Sequence, residues 1–145
     1  MSHNSPLSPD IKKDLLGMAS NLDSVSSGWV VNYDPETDSL SFSKSKLSSD
    51  TKISYLDPEI AVYLSGKKEI EGVFIEYATK NYMSHNKELA NFKKKLVALS
   101  KNEKSDFIQI KKSDAKSLIH ALQEEMKEIV VDNLNFPSHF TPSIR

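Results

Sequence analysis

Three acids at alternate positions, Asp34, Glu36 and Asp38, form the densest group in this chain that could carry chemistry. Carboxylates spaced this way could chelate a hard cation such as calcium. A calcium loop of the EF-hand kind starting at Asp34 needs glycine at its sixth position and glutamate at its twelfth, where Ser39 and Ser45 stand instead. The plainer reading is a solvated turn in which Asp34 bonds its own backbone and Pro35 presets φ. Glu71 and Glu76 are separated by an odd number of residues, so on a strand they point to opposite faces and cannot act as a carboxylate pair. A glutamate at a sheet rim paired with a lysine is the expectation for each.

The remaining chemistry is sparser still. His85 falls on an apolar helical stripe, where a lone imidazole reads as a hydrogen-bonded core residue rather than a base. His120 projects from a polar helix side, and His3 and His139 fall in expected tails. No two histidines share a metal-ligand spacing, so no zinc or iron site is expected. The chain lacks cysteine, which removes disulfides, thiolate ligands and a cysteine nucleophile. Its 22 serines include no Gly-x-Ser-x-Gly elbow, and its four glycines, Gly17, Gly28, Gly66 and Gly72, make neither a phosphate loop nor a dinucleotide fingerprint. Enzyme is the least supported class, with no catalytic, cofactor-binding or metal-binding residues expected and no cofactor.

Two residue sets point to binding instead. Net charge is −1 overall, but residues 1–78 carry −5, residues 79–104 carry +5 and residues 105–145 carry −1. The basic stretch holds Lys80, Lys87, Lys93, Lys94, Lys95, Lys101 and Lys104, of which Lys87, Lys93, Lys94, Lys95 and Lys101 are the candidate phosphate contacts. The alternative is a solvated helix face whose lysine stems cover apolar neighbours. The only arginine is Arg145, and base-edge readout favours bidentate arginine, so sequence-specific recognition is not expected. The second set is aromatic: Trp29, Tyr33, Tyr55, Tyr63 and Tyr77 are candidates for a partner surface on an uncovered sheet face.

These residues need elements to position them. At 145 residues the chain is expected to form one domain over residues 10–134, since chains of this size bury about 68–70% of their unfolded surface. Residues 1–9 read as a lead-in and residues 135–145 as a tail. Asp10 can cap a short helix over about residues 11–22. Alternation in residues 29–33 and 39–42, joined by the Asp34-Pro35 turn signal, predicts a hairpin. Residues 52–56, 60–64 and 70–77 supply three more strands with connections too short for parallel crossovers, giving a meander of about five strands. Tyr82, His85, Leu89, Phe92, Leu96 and Leu99, spaced 3, 4, 3, 4 and 3, predict one amphipathic helix over about residues 79–101. Residues 107–110 form a brief apolar run suited to an edge strand, and a last helix runs from a Ser113 or Asp114 cap to about residue 134. The fold class is α+β, with the short N-terminal helix and the two C-terminal helices packed on one sheet face.

The β region resembles the domain-of-unknown-function 2283 family, small bacterial and archaeal proteins built around a compact β unit. The resemblance rests on Tyr33-Asp34-Pro35-Glu36, Asp38, Leu40 and Phe42 in front, and on Ile70, Gly72-Val73, Ile75-Glu76 and Ala78 behind. It covers about a third of the chain. The middle stretch, with Asp57-Pro58 and Ser65-Gly66-Lys67, departs from the family pattern, as do the further residues of mostly helix after the last strand. The resemblance implies no catalytic activity; some members look like partners of small toxin-like proteins.

The N-terminus lacks the apolar core of a signal peptide and no stretch approaches the ~20 apolar residues of a membrane span, so a cytoplasmic protein away from membranes is expected. The expected function is a non-enzymatic interaction module that self-associates or docks a protein partner through its sheet. The alternative is nonspecific nucleic-acid binding through the lysine-rich residues 79–104.

Overall fold

The hairpin that opens the sheet forms where its turn chemistry requires. Strand β1 (Trp29–Asp34) pairs antiparallel with β2 (Ser39–Lys44), Asp34 facing Ser39 across a four-residue turn. Asp34 Oδ1 accepts the Glu36 N–H at 3.0 Å, and its other oxygen accepts the Thr37 hydroxyl. This is the self-bonded turn expected of Asp34. The computed structural model describes residues 9–102 and 107–135. The expected Asp10 cap, Lys104, His3, His139 and most of both expected termini lie outside the residues or side chains described.

The α+β class holds, with six strands rather than about five, in the order β3-β4-β5-β2-β1-β6. Strands β3 (Lys52–Tyr55), β4 (Ile60–Leu64) and β5 (Ile70–Ile75) do form a meander. The meander does not continue from β2, because β5 rather than β3 lies beside β2. Residues 45–51 therefore cross two strands to reach the far edge, a Greek-key connection. The short run that looked suited to an edge does become β6 (Ile108–Ile110), which pairs antiparallel with β1 at the opposite edge.

A bulge in β5 makes that crossing possible. Tyr63 faces Gly72 and the next residue, Leu64, faces Ile70, so Glu71 is the extra residue and strict alternation stops there. Glu71 is neither a rim residue nor mainly a lysine partner. Its side chain is 2% exposed and accepts the Ser48 N–H at 3.0 Å, the Ser48 hydroxyl and the Thr51 hydroxyl; Lys44 Nζ stands off at 3.8 Å. The carboxylate thus holds the crossing loop at its middle and at its C-terminal end. Gly72, beside it, has no room for a side chain, since a Cβ would lie 2.1 Å from that of Ser43 on β2.

Helices cover one face of this sheet. Helix α1 (Pro9–Ser20) packs on α4 (Lys116–Asn135), with the one-turn α2 (Leu22–Val25) between α1 and β1. Leu15, Met18, Phe92, Leu118, Leu122 and Met126 join Val31, Phe42, Val62 and Val73 in one buried cluster. The helix expected over residues 79–101 is not continuous. A π-helical turn (Ala78–Tyr82) and two 3-10 turns (Met83–His85 and Lys87–Leu89) precede α3 (Ala90–Asn102), and Asn86 between them is extended. The cause is local competition for backbone groups. Ser84 Oγ donates to the carbonyls of Thr79 or Lys80, and Asn86 Nδ2 donates to that of Tyr82 at 3.0 Å. Most of the apolar stripe survives, with Tyr82, Leu89, Phe92 and Leu96 buried.

Its bonds hold the Glu71 carboxyl down to about 2, chiefly those from Ser48 and Thr51. A carboxylate depressed in the folded state stabilises fully above its unfolded value near 4.5 and loses that contribution as pH falls through about 2. Glu71→Gln is expected to cost about 1.5–3 kcal/mol at pH 7, the range for hydrogen bonds to a charged group. Urea unfolding at pH 7 and pH 3 checks this: the difference between variant and wild type should shrink at the lower pH.

Candidate interaction surface

The sheet presents its second face outward, and that face has two unlike halves. On β1, β2 and β6 it shows Val30, Asn32, Ser41 and Gln109. On β3, β4 and β5 it shows Ile53, Tyr55, Tyr63 and Phe74, grouped by the register that sets Ile53 against Tyr63 and both Tyr55 and Phe74 against Ala61. Tyr63 and Phe74 meet edge to face with ring centroids 6.1 Å apart, a favoured aromatic geometry. Ile53 is 37% exposed, and Tyr55, Tyr63 and Phe74 are half-buried. Burial raises the Tyr63 hydroxyl above its ordinary value, with Tyr55 adding to the effect. Burial does the same to Tyr55, helped by the nearby Glu76 carboxylate.

The five aromatics singled out from the sequence therefore separate. Tyr55 and Tyr63 lie on the open face. Trp29 and Tyr33 lie on the covered one, 5% and 4% exposed, and cannot belong to a partner surface. Period-two alternation places them on one face with Val31 but does not say which face the helices take. Trp29 packs edge-on against Phe42 at 5.2 Å. Tyr77 is 57% exposed at the corner after β5, where a left-handed backbone turns the chain into the helical layer. Ile53 and Phe74 were missed; Ile53 lies two residues from Tyr55 and across from Tyr63, and Phe74 lies across from Ala61, diagonal to Tyr63.

Tyr33 instead joins a buried latch. Its hydroxyl donates to Asp38 Oδ1 at 2.6 Å, and the same oxygen accepts the Thr79 N–H and hydroxyl, while Oδ2 accepts the Lys80 N–H at 3.0 Å. The Asp38 carbonyl accepts the Ala78 N–H at 2.7 Å. The residue thus caps the first helical turn from 40 positions upstream, in the manner of a helix N-cap. Burial works against the charge, but the bonds from Tyr33, Lys80 and Thr79 outweigh it and hold the Asp38 carboxyl below its ordinary value. Burial, and then the Asp38 carboxylate, push Tyr33 up to about 12. Asp38 is therefore a buried structural acid rather than the third member of a solvated turn.

A second cluster joins the start of β4 to the helical layer. His85 Nε2 lies 2.8 Å from Glu59 Oε2, an ion pair that raises the imidazole above its usual range. His85 is half exposed, not the core residue its place on the apolar stripe suggested. Its ring stands edge-on to buried Tyr82 at 6.1 Å. Burial raises Tyr82, with Glu125 adding to it, and burial raises Glu125 itself, aided by Asp57 and Glu59. A histidine oriented by a carboxylate could serve as a base; its contacts among the described residues include Glu59 and the Tyr82 ring. Among the described residues no group of three or more acids and histidines could hold a metal ion.

The basic residues form a surface of their own. A groove of about 630 Å³ between residues 83–86 and the outer side of α3 is lined by Lys87, Lys93, Lys94 and Lys101 over Met83, Ala90 and Val97. Four of the five candidate phosphate contacts thus share one groove. Lys95 does not, since it pairs with Asp114 at 3.9 Å, and Lys93 donates to Ser84 Oγ at 3.0 Å. No helix among the described residues is long and apolar enough to cross a membrane. No family model, curated protein or solved structure matches the chain.

Asp38→Asn tests the latch without disturbing its backbone. Asp38 sits at φ 55°, a left-handed conformation that asparagine also tolerates. The amide keeps one acceptor oxygen but turns its NH2 toward either the Thr79 or the Lys80 N–H, and a cost of about 1–3 kcal/mol is expected. Urea unfolding gives the size, and amide exchange at Thr79 and Lys80 should accelerate more than exchange in β4.

Proposed function

We propose that this protein is a non-enzymatic interaction module that self-associates through the free edge and open face of β3. The observation that carries the reading is the apolar half-face of Ile53, Tyr55, Tyr63 and Phe74 directly beside an edge strand. An edge presents unpaired backbone groups, and the usual protections are charge, proline, bulges or cover. Strand β3 is short and starts with Lys52, but it holds no proline and carries Ile53 and Tyr55 on its open face.

A two-fold pairing of β3 with its copy satisfies both surfaces together. Centred on Ser54, it sets Ile53 of each copy against Tyr55 of the other and keeps the two Lys52 residues apart. Side chains on opposed residues of such a pair share a face, so the two apolar patches become continuous. Each Ile53–Tyr55 pair contributes about 0.2–1 kcal/mol, which makes the contact weak and concentration-dependent.

Sedimentation equilibrium between about 5 and 500 µM is expected to show reversible dimerisation in the weak range of small interfaces. Ile53→Lys, on an exposed edge position, should shift the dissociation constant by about tenfold or more, because a lysine at an edge opposes pairing. A wild type of monomer mass throughout, or a variant that associates as tightly, contradicts the reading.

A further inference from the structure

The lysine groove of the helical layer carries a pattern that the sheet does not use. On α3, Ala90 and Val97 are seven residues apart, as are Lys94 and Lys101, and the preceding 3-10 turns bring Met83 and Lys87 to the same groove. All six line the same groove, which contains no acidic residue. Ala90 is exposed and Val97 is 38% exposed, while Met83 is buried and forms the floor. The exposed apolar seam is therefore Ala90 and Val97, flanked by Lys94 and Lys101, each pair separated by about 10.5 Å along α3. Buried Leu89 and Leu96 face the core, so the seam is additional to the stripe that anchors the segment.

We propose that this groove docks an acidic amphipathic helix supplied by a partner protein. Helices that pack side by side present apolar residues at a heptad spacing with charged residues flanking them, and the charges select the partner. An apolar seam flanked on this side by lysines asks for a helix with small or aliphatic residues at one heptad position and glutamate or aspartate beside it. Ala90 lets a partner backbone approach closely. Ion pairs from Lys87, Lys94 and Lys101 would set register and on-rate more than affinity. Of the groove's lysines, Lys93 already donates to Ser84, so the argument rests on the other three.

The same lysines could meet phosphates, but the lining fits nucleic acid less well. Single strands are held by aromatic side chains on which bases stack, and the groove has none. It has no arginine for bidentate contact either. The apolar seam would go unused against a sugar–phosphate backbone.

Fluorescence anisotropy with three labelled probes decides between these. The first is a synthetic 21-residue helix with leucine and glutamate at the matching heptad positions. The second is the same composition scrambled, and the third is a single-stranded DNA 20-mer. The patterned helix is expected to bind at least about tenfold more tightly than either other probe. A Lys87→Glu/Lys94→Glu/Lys101→Glu variant, changed only at exposed positions, should weaken it about tenfold or more, and a probe with lysine in place of glutamate should restore binding. Val97→Asp should weaken the patterned helix while Ile53→Lys leaves it unchanged, separating this surface from the sheet edge. The proposal is overturned if the scrambled helix binds equally, if the DNA binds more tightly, if the triple variant has no effect, or if nothing binds at low salt.

Discussion

A single buried carboxylate anchors the loop that carries the chain from β2 to the far edge of the sheet. Glu71, extruded by a bulge, takes two bonds from Ser48 and one from Thr51, and so ties the loop between β2 and β3 to the side of β5. An ionised group out of water is tolerated only when its lone pairs are satisfied, and here neighbouring donors do that. With the loop held there, β3 begins with two strands between it and β2, and the meander returns to pair β5 with β2. The ladder with β4 then groups Ile53 and Tyr55 with Tyr63 and Phe74.

A second buried acid performs the corresponding task between the layers. Asp38 ends the first hairpin and accepts bonds from Thr79 and Lys80 at the start of the helical layer, with Tyr33 completing the set. The two acids divide the work: Glu71 orders the sheet, and Asp38 joins sheet to helices. The open face of β3–β5 and the lysine groove of the helical layer are consequently presented by separate elements. The chain's charge asymmetry follows the same division, with the excess of acid in the β half and the excess of lysine in residues 79–104.

Much of this was legible in the residues, and the failures have identifiable causes. The hairpin over residues 29–43 was readable because Asp34 and Pro35 specify their own turn. The α+β order followed from the change of period near residue 79. Strand order was not readable, since it depends on a bulge that the run Ile70-Glu71-Gly72-Val73 does not announce. The same bulge overturned the parity argument for Glu71 and concealed its burial. Trp29 and Tyr33 were misassigned because alternation gives two faces without saying which is covered. One continuous helix was expected over residues 79–101 because apolar spacing ignores Ser84 and Asn86, whose side chains compete for backbone bonds. The lysines were recognisable as a cluster, but only the packed structure separates Lys95, turned toward Asp114, from the four in the groove.

The central claim, that β3 is an edge used for pairing, is tested most directly by amide exchange measured residue by residue at low and high protein concentration. In a sheet edge half of the backbone N–H groups have no ladder partner and exchange rapidly. The account expects some amides among residues 52–55 to be fast in dilute solution and to gain protection as concentration rises, while those of β6 at the other edge stay unchanged. Protection in β3 that is independent of concentration, or a rise confined to β6, would contradict it.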